Sequence, residues 1–137
     1  MLEIPPYMGT NAPRAHQRVI ARLTTGLYQL YMDGKIKYEP LPETMVEESE
    51  ASPTPDVILF DNVMQQNIVI VEVTGSPGVR KDFAKIAKVM ADYDIPEGFV
   101  YDYIKMYWRK YKNGVGEITE NPSFCDAIGY DLNEFLK

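Results

Sequence analysis

Pro55-Asp56-Val57-Ile58-Leu59-Phe60, a short polar turn, and Ile68-Val69-Ile70-Val71-Glu72-Val73-Thr74 decide how this chain folds. Both segments have the length and the β-branched and aromatic content of strands, and both are almost wholly apolar. Each nevertheless carries one carboxylate, Asp56 and Glu72. An ionised carboxylate in a buried strand is costly unless it is paired or holds a metal. Two of them on neighbouring strands, followed by a glycine-containing turn and a lysine-bearing helix, point to a divalent-metal site.

Working outward, Ile20, Leu23, Leu27, Leu30 and Tyr31 recur at helical spacing between Arg14 and Tyr31. Asn11 is the expected N-cap, Pro13 is expected in the first turn, and Asp33-Gly34 ends the helix. Lys35 to Pro40 reads as a short strand and Glu43 to Glu47 as another. Ser52-Pro53-Thr54-Pro55 is a rigid connector, and Asp61 to Gln66 makes the turn between the two apolar strands. After the loop Thr74-Gly75-Ser76-Pro77-Gly78, a second helix from Val79 to about Tyr93 has Phe83, Ile86, Ala87 and Met90 on its apolar face. Gly98-Phe99-Val100-Tyr101 begins a strand. Ile104 to Tyr111 and Val115 to Thr119 form a hairpin around Asn113-Gly114, a pair suited to a tight turn with positive φ angles. Leu132 to Leu136 closes the chain with a helical turn. This order predicts an α/β sandwich around a mixed sheet.

The 137 residues, 45% hydrophobic, suit one domain, 1–137, with a sizeable core. No run approaches the ~18 apolar residues of a membrane span, and the start Met1-Leu2-Glu3-Ile4 lacks the pattern of a signal peptide. The single cysteine, Cys125, is expected to be a small buried residue in a reducing compartment, so the chain is read as cytoplasmic. One histidine and one cysteine exclude the usual zinc ligand set, and Gly75-Ser76-Pro77-Gly78 lacks the ending of a P-loop.

The net charge of −6 at first argues against a nucleic-acid partner, and its distribution softens that objection. Residues 80–112 hold eight bases against five acids, while Glu43, Glu47, Glu48 and Glu50 form an acidic stretch read as a solvated loop. Arg14, Arg18 and Arg22 form a basic stripe at four-residue spacing, read first as a solvated helix face and second as a set of phosphate contacts. Tyr101, Tyr103 and Tyr107 are expected to share one side of a strand, with Asp102 and Trp108 on the other. Core packing or a dimer interface accounts for these aromatics better than base stacking.

These residues together resemble a known family. Pro55-Asp56-Val57 opens one strand and Val69-Ile70-Val71-Glu72-Val73 runs into a Ser-Pro loop. Asp82-Phe83-Ala84-Lys85, Ile95-Pro96-Glu97 and Ile128-Gly129-Tyr130-Asp131-Leu132-Asn133-Glu134-Phe135-Leu136 follow. The order and these motifs resemble the PD-(D/E)xK nuclease superfamily, and within it the small restriction-endonuclease-like domains of the Uma-two family, over nearly the whole chain. The resemblance implies a restriction-endonuclease-like mixed β-sheet flanked by helices, an αβββαβ core with a C-terminal hairpin. It implies Mg²⁺ (or Mn²⁺) held by Asp56, Glu72 and the Val73 carbonyl, and hydrolysis of phosphodiester bonds in DNA rather than RNA.

The family's lysine should follow Glu72-Val73, where this chain has Thr74. In relatives that lysine can migrate to the next helix, which makes Lys85 the candidate and Lys81 the second choice. Glu39 is a further carboxylate, read first as an ordinary edge-strand residue. His16 is read as packing on the apolar edge of the first helix or hydrogen-bonding there rather than catalysing. Cutting both strands of a duplex calls for two sites, so a homodimer is expected. The alternative is a catalytically inactive nuclease-fold module for binding or assembly, which Thr74 and the acidic net charge favour.

Overall fold

The structure, a computed structural model, describes residues 13–137. A six-stranded mixed sheet runs in sequence order, β1 (Glu39–Pro42), β2 (Val57–Asp61), β3 (Gln66–Thr74), β4 (Glu97–Asp102), β5 (Tyr107–Lys112) and β6 (Gly116–Ile118). Helix α1 (Arg14–Met32) precedes it and α2 (Val79–Tyr93) joins β3 to β4, the one parallel pair in this sheet. A small second sheet of β7 (Phe124–Cys125) and β8 (Tyr130–Asp131) and a terminal 3₁₀ turn, Leu132–Leu136, complete the order. The expected helix, three strands, helix, strand and hairpin are therefore all present. No helix among the described residues is long and apolar enough to cross a membrane.

Strands β2 and β3 are apolar at successive positions because both of their faces are covered. Ile20, Leu23 and Leu27 of α1 pack with Val57, Leu59, Val69, Val71, Phe99 and Trp108 on one face. Ile86, Val89 and Met90 of α2 pack with Ile58, Ile70 and Val100 on the other. Gly98 lets α2 approach β4 closely: a Cβ there would lie 2.5 Å from the Met90 sulfur. Asp33 and Gly34 do end α1. Gly34 adopts φ +73°, and the Gly34 and Lys35 N–H groups donate to Tyr31 and Leu30, which closes the last turn.

Local expectations fail where side-chain chemistry redirects the backbone. Pro13 sits just before α1 in an extended conformation rather than in its first turn, and Asn11 lies outside the described residues. The first strand is Glu39–Pro42, two to four residues later than expected. Glu43 to Glu47 is not a strand: Glu43 turns left-handed at φ 47° and the Thr44 hydroxyl donates to the Pro42 carbonyl. At Asn113-Gly114 only the glycine has positive φ. Asn113 is instead tied to α2, its amide Nδ2 donating to the Met90 carbonyl and its N–H to the Pro96 carbonyl.

The aromatic strand also divides differently. Tyr103 to Met106 form the β4–β5 turn, so Tyr101 and Tyr107 lie on different strands. Tyr101 pairs directly with Trp108 and their rings are 4.7 Å apart on the same face, which overturns the expected split. Four of the eight bases counted between residues 80 and 112 are also consumed internally or locally. Arg109 grips Glu117 at 2.9 and 2.7 Å, Lys88 pairs with Asp92, and Lys112 with Asp126.

Lys110 is the fourth, and it is part of the core. It is 2% exposed and its Nζ lies 3.2 Å from Oε2 of Glu97, itself 3% exposed. Lys110 also donates to the Phe124 carbonyl at 2.7 Å, while Glu97 accepts the N–H groups of Asp126 and Ala127. These contacts pin the C-terminal segment to the sheet, and Cys125 is buried beside them. Removing one partner of such a pair leaves an uncompensated buried charge. Lys110→Met is therefore expected to cost ~3–5 kcal/mol in urea denaturation, and adding Glu97→Gln should cost less than the two single losses together.

Candidate active site

Antiparallel pairing places Val57 of β2 opposite Val71 of β3, so one residue further out Asp56 meets Glu72. The two are tied reciprocally. The Asp56 N–H donates to Oε1 of Glu72 at 3.0 Å, and the Val73 N–H donates to Oδ2 of Asp56 at 2.7 Å. Asp56 occupies the bend that leads into β2, and Glu72 stands near the end of β3 on the α2 side. An open cavity of about 420 Å³ lies over them, with His16 of α1, Asp82 and Lys85 of α2, Thr74 and Tyr103 also on its wall.

The electrostatics follow from that crowding. Burial pushes the Glu72 carboxyl up to about 8, reinforced by the negative charge of Asp56 and, more weakly, of Asp82. The Lys85 ammonium acts in the opposite direction, so it stands close enough to compensate part of the Glu72 charge. His16 Nε2 lies 3.5 Å from Oδ2 of Asp56. Hydrogen bonding to Asp56 raises the His16 pKa above its ordinary value, burial opposes this, and Gln17 and the Val73 backbone add to the rise.

The structure thus brings Asp56, Glu72, Val73 and Lys85 to one cavity. Lys81 is exposed and is not among the residues lining it. Glu39 is excluded by register: it pairs opposite Phe60, at the far end of β2, where Asn62 donates to its carboxylate at 3.0 Å. His16, read from the sequence as packing or hydrogen-bonding, reaches Asp56, and Asp82 and Tyr103 join it at the cavity. For Asp82 the signal was its position three residues before Lys85, which puts both on one helix face.

A divalent cation suits this donor set. Among the described residues no three His, Cys, Asp or Glu side chains form a closed ligand group. Two carboxylates and a backbone carbonyl leave the remaining positions to water, as Mg²⁺ prefers. A dication would also offset the burial and the Asp56 charge that raise Glu72. No family model matches this chain, and no curated protein matches it.

The raised Glu72 makes a stability prediction without added metal. Its folded pKa, about 8, exceeds the ordinary 4.5, so the native state holds this proton more tightly. The stabilisation is complete below about pH 4.5 and is lost as pH rises toward 8. Denaturation in EDTA should show Glu72→Gln gaining on the wild type over that window, by on the order of 4 kcal/mol. Parallel pH curves for the two proteins would contradict the assignment.

Proposed function

We propose that this chain is a divalent-metal-dependent nuclease that hydrolyses phosphodiester bonds in DNA. The observation that carries the reading is the meeting of Asp56 and Glu72 at the mouth of the sheet, beneath a cavity that Lys85 also lines. The element order, with α1 and α2 covering opposite faces of a mixed sheet, supports a restriction-endonuclease-like fold.

Asp56, Glu72 and the Val73 carbonyl would hold Mg²⁺ or Mn²⁺. When bound, the ion supplies polarisation of a phosphoryl oxygen and a lowered pKa for the attacking water. The chain's own residues do the rest. His16 and the Val73 N–H fix the orientation of Asp56 through Oδ2. The Asp56 N–H does the same for Glu72. Lys85 places a positive charge at the cavity wall, where negative charge grows on the phosphoryl group in the transition state. Thr74 cannot do this, since its hydroxyl carries no charge and donates to the Gly75 carbonyl at 3.4 Å.

Thr74 also favours a second reading, a nuclease-fold module that binds its partner without cutting it. Plasmid nicking separates the two. The active protein should cut with Mg²⁺ or Mn²⁺, Glu72→Ala should abolish cutting, and Lys85→Ala should slow it by ~10²–10³. Lys81→Ala should cut like the parent. Metal binding by titration calorimetry with no cleavage of any DNA would establish the module instead, and full activity in Lys85→Ala would reject the role of that lysine.

Cleavage of both strands would require two copies, so a duplex-cutting protein should elute as a symmetric dimer. Light scattering that gives only monomer at micromolar concentration, alongside double-strand breaks, would contradict this.

A further inference from the structure

A second groove adjoins the candidate active site and shares Tyr103 with it. It holds about 170 Å³ between α1 and the β4–β5 turn. Arg18 and Arg22 form one wall, Val19, Tyr101 and Tyr103 contribute to the floor, and Met106 stands on the opposite rim. Both arginines are exposed, as is Arg14 one turn earlier. Among the described residues none of the three has a carboxylate within ion-pairing distance. Three unneutralised guanidiniums on one helix face, in a chain of net charge −6, are a localised anion-attracting stripe. Four residues of helix advance by ~6 Å, so the stripe follows an extended polyanion.

The rim is held rigidly. Asp102, 1% exposed, accepts the N–H groups of Ile104 and Lys105 through Oδ1 and the Ser76 hydroxyl through Oδ2. The Tyr103 N–H donates to the Thr74 carbonyl, so the turn is anchored to the strand end that carries Glu72 and Val73. Within this turn Met106 takes φ 59° and leaves its side chain 74% exposed. Residues other than glycine rarely adopt that conformation, and here it holds an apolar side chain in water beside the arginines.

We propose that this groove binds single-stranded nucleic acid, taking the nucleotide next to the one positioned over Asp56 and Glu72. The inference rests on the nuclease reading for its direction. Arg18 and Arg22 hold the phosphate, and Tyr103 and Met106 contact the base. The apolar floor admits a base only after it leaves the stack, so a single strand fits and an intact duplex does not.

Fluorescence anisotropy of a labelled oligothymidylate with the whole chain in EDTA tests this apart from cleavage. The single strand should bind more tightly than a duplex of the same length. Arg18→Ala/Arg22→Ala should weaken binding about tenfold and lower the salt slope by about 1.4, while the double lysine variant keeps that slope. Met106→Ala should weaken binding about fivefold or more, from lost apolar contact with the base, with the slope unchanged. These positions are on the surface, and an unchanged thermal midpoint shows that each variant is folded. Equal affinity for duplex, heparin or polyglutamate would overturn the proposal, because charge alone would then explain binding. So would wild-type binding by the double alanine variant. If the single strand binds as expected but Mg²⁺ brings no cleavage, the groove stands and the nuclease reading falls. If the double alanine variant binds and cuts like the parent, the reverse holds.

Discussion

Two hydrogen bonds at the open end of β2 and β3 organise everything that is chemically interesting here. Each runs from a backbone N–H to the other strand's carboxylate, Asp56 to Glu72 and Val73 to Asp56. They are possible only in the observed register, because a one-residue slip would turn every side chain of β3 to the other face. That slip is blocked by the core: Val69 and Val71 belong under α1 while Ile70 belongs under α2. The hydrophobic packing on two sides therefore fixes the position of two carboxyl groups that gain nothing from it.

The same constraint explains why the carboxylates remain poorly satisfied. Each receives backbone donors, yet Glu72 is largely buried, faces the charge of Asp56 and is pushed up to about 8. Compare the pair Glu97–Lys110, where carboxylate and ammonium meet at 3.2 Å and both are nearly inaccessible. That second site neutralises its own charge and closes with backbone donors, as a structural ion pair does. The first leaves two carboxyl groups facing each other on an open cavity, one of them held protonated until a cation or a reacting group displaces its proton.

Much of this was legible in the sequence, and the reason is the length of the apolar runs. Asp56 and Glu72 stood out because each interrupts an almost wholly apolar run, and Lys85 because the resemblance placed a migrated lysine on the next helix, three residues after Asp82. The failures were of a different kind. His16 reaches Asp56 from a helix 40 residues earlier, and nothing local to His16 encodes that approach. Glu39, by contrast, is the edge-strand residue it was first read to be, since pairing with Phe60 fixes it at the far end of β2. Tyr101 and Trp108 were separated by counting along one strand, whereas a turn at 103–106 makes them cross-strand neighbours. Lys110 and Glu97 were counted only in the net charge of residues 80–112, since burial of their ion pair depends on a segment that arrives about 15 residues after the lysine.

Thr74 is the hardest residue to place by sequence, and the structure supplies a physical reason for it. A Cβ on Gly78 would fall 2.5 Å from the Thr74 hydroxyl oxygen, so the two backbone segments are in close approach where α2 begins. A compact side chain at position 74 and none at position 78 let the helix start directly beside the end of β3. A lysine at 74 would have to find another path past Gly78. The tight start also sets where the next turns of α2 lie, and it is the second of these that carries Lys85 to the cavity wall. Thr74 thus belongs to the packing that sets where the helix bearing Lys85 begins.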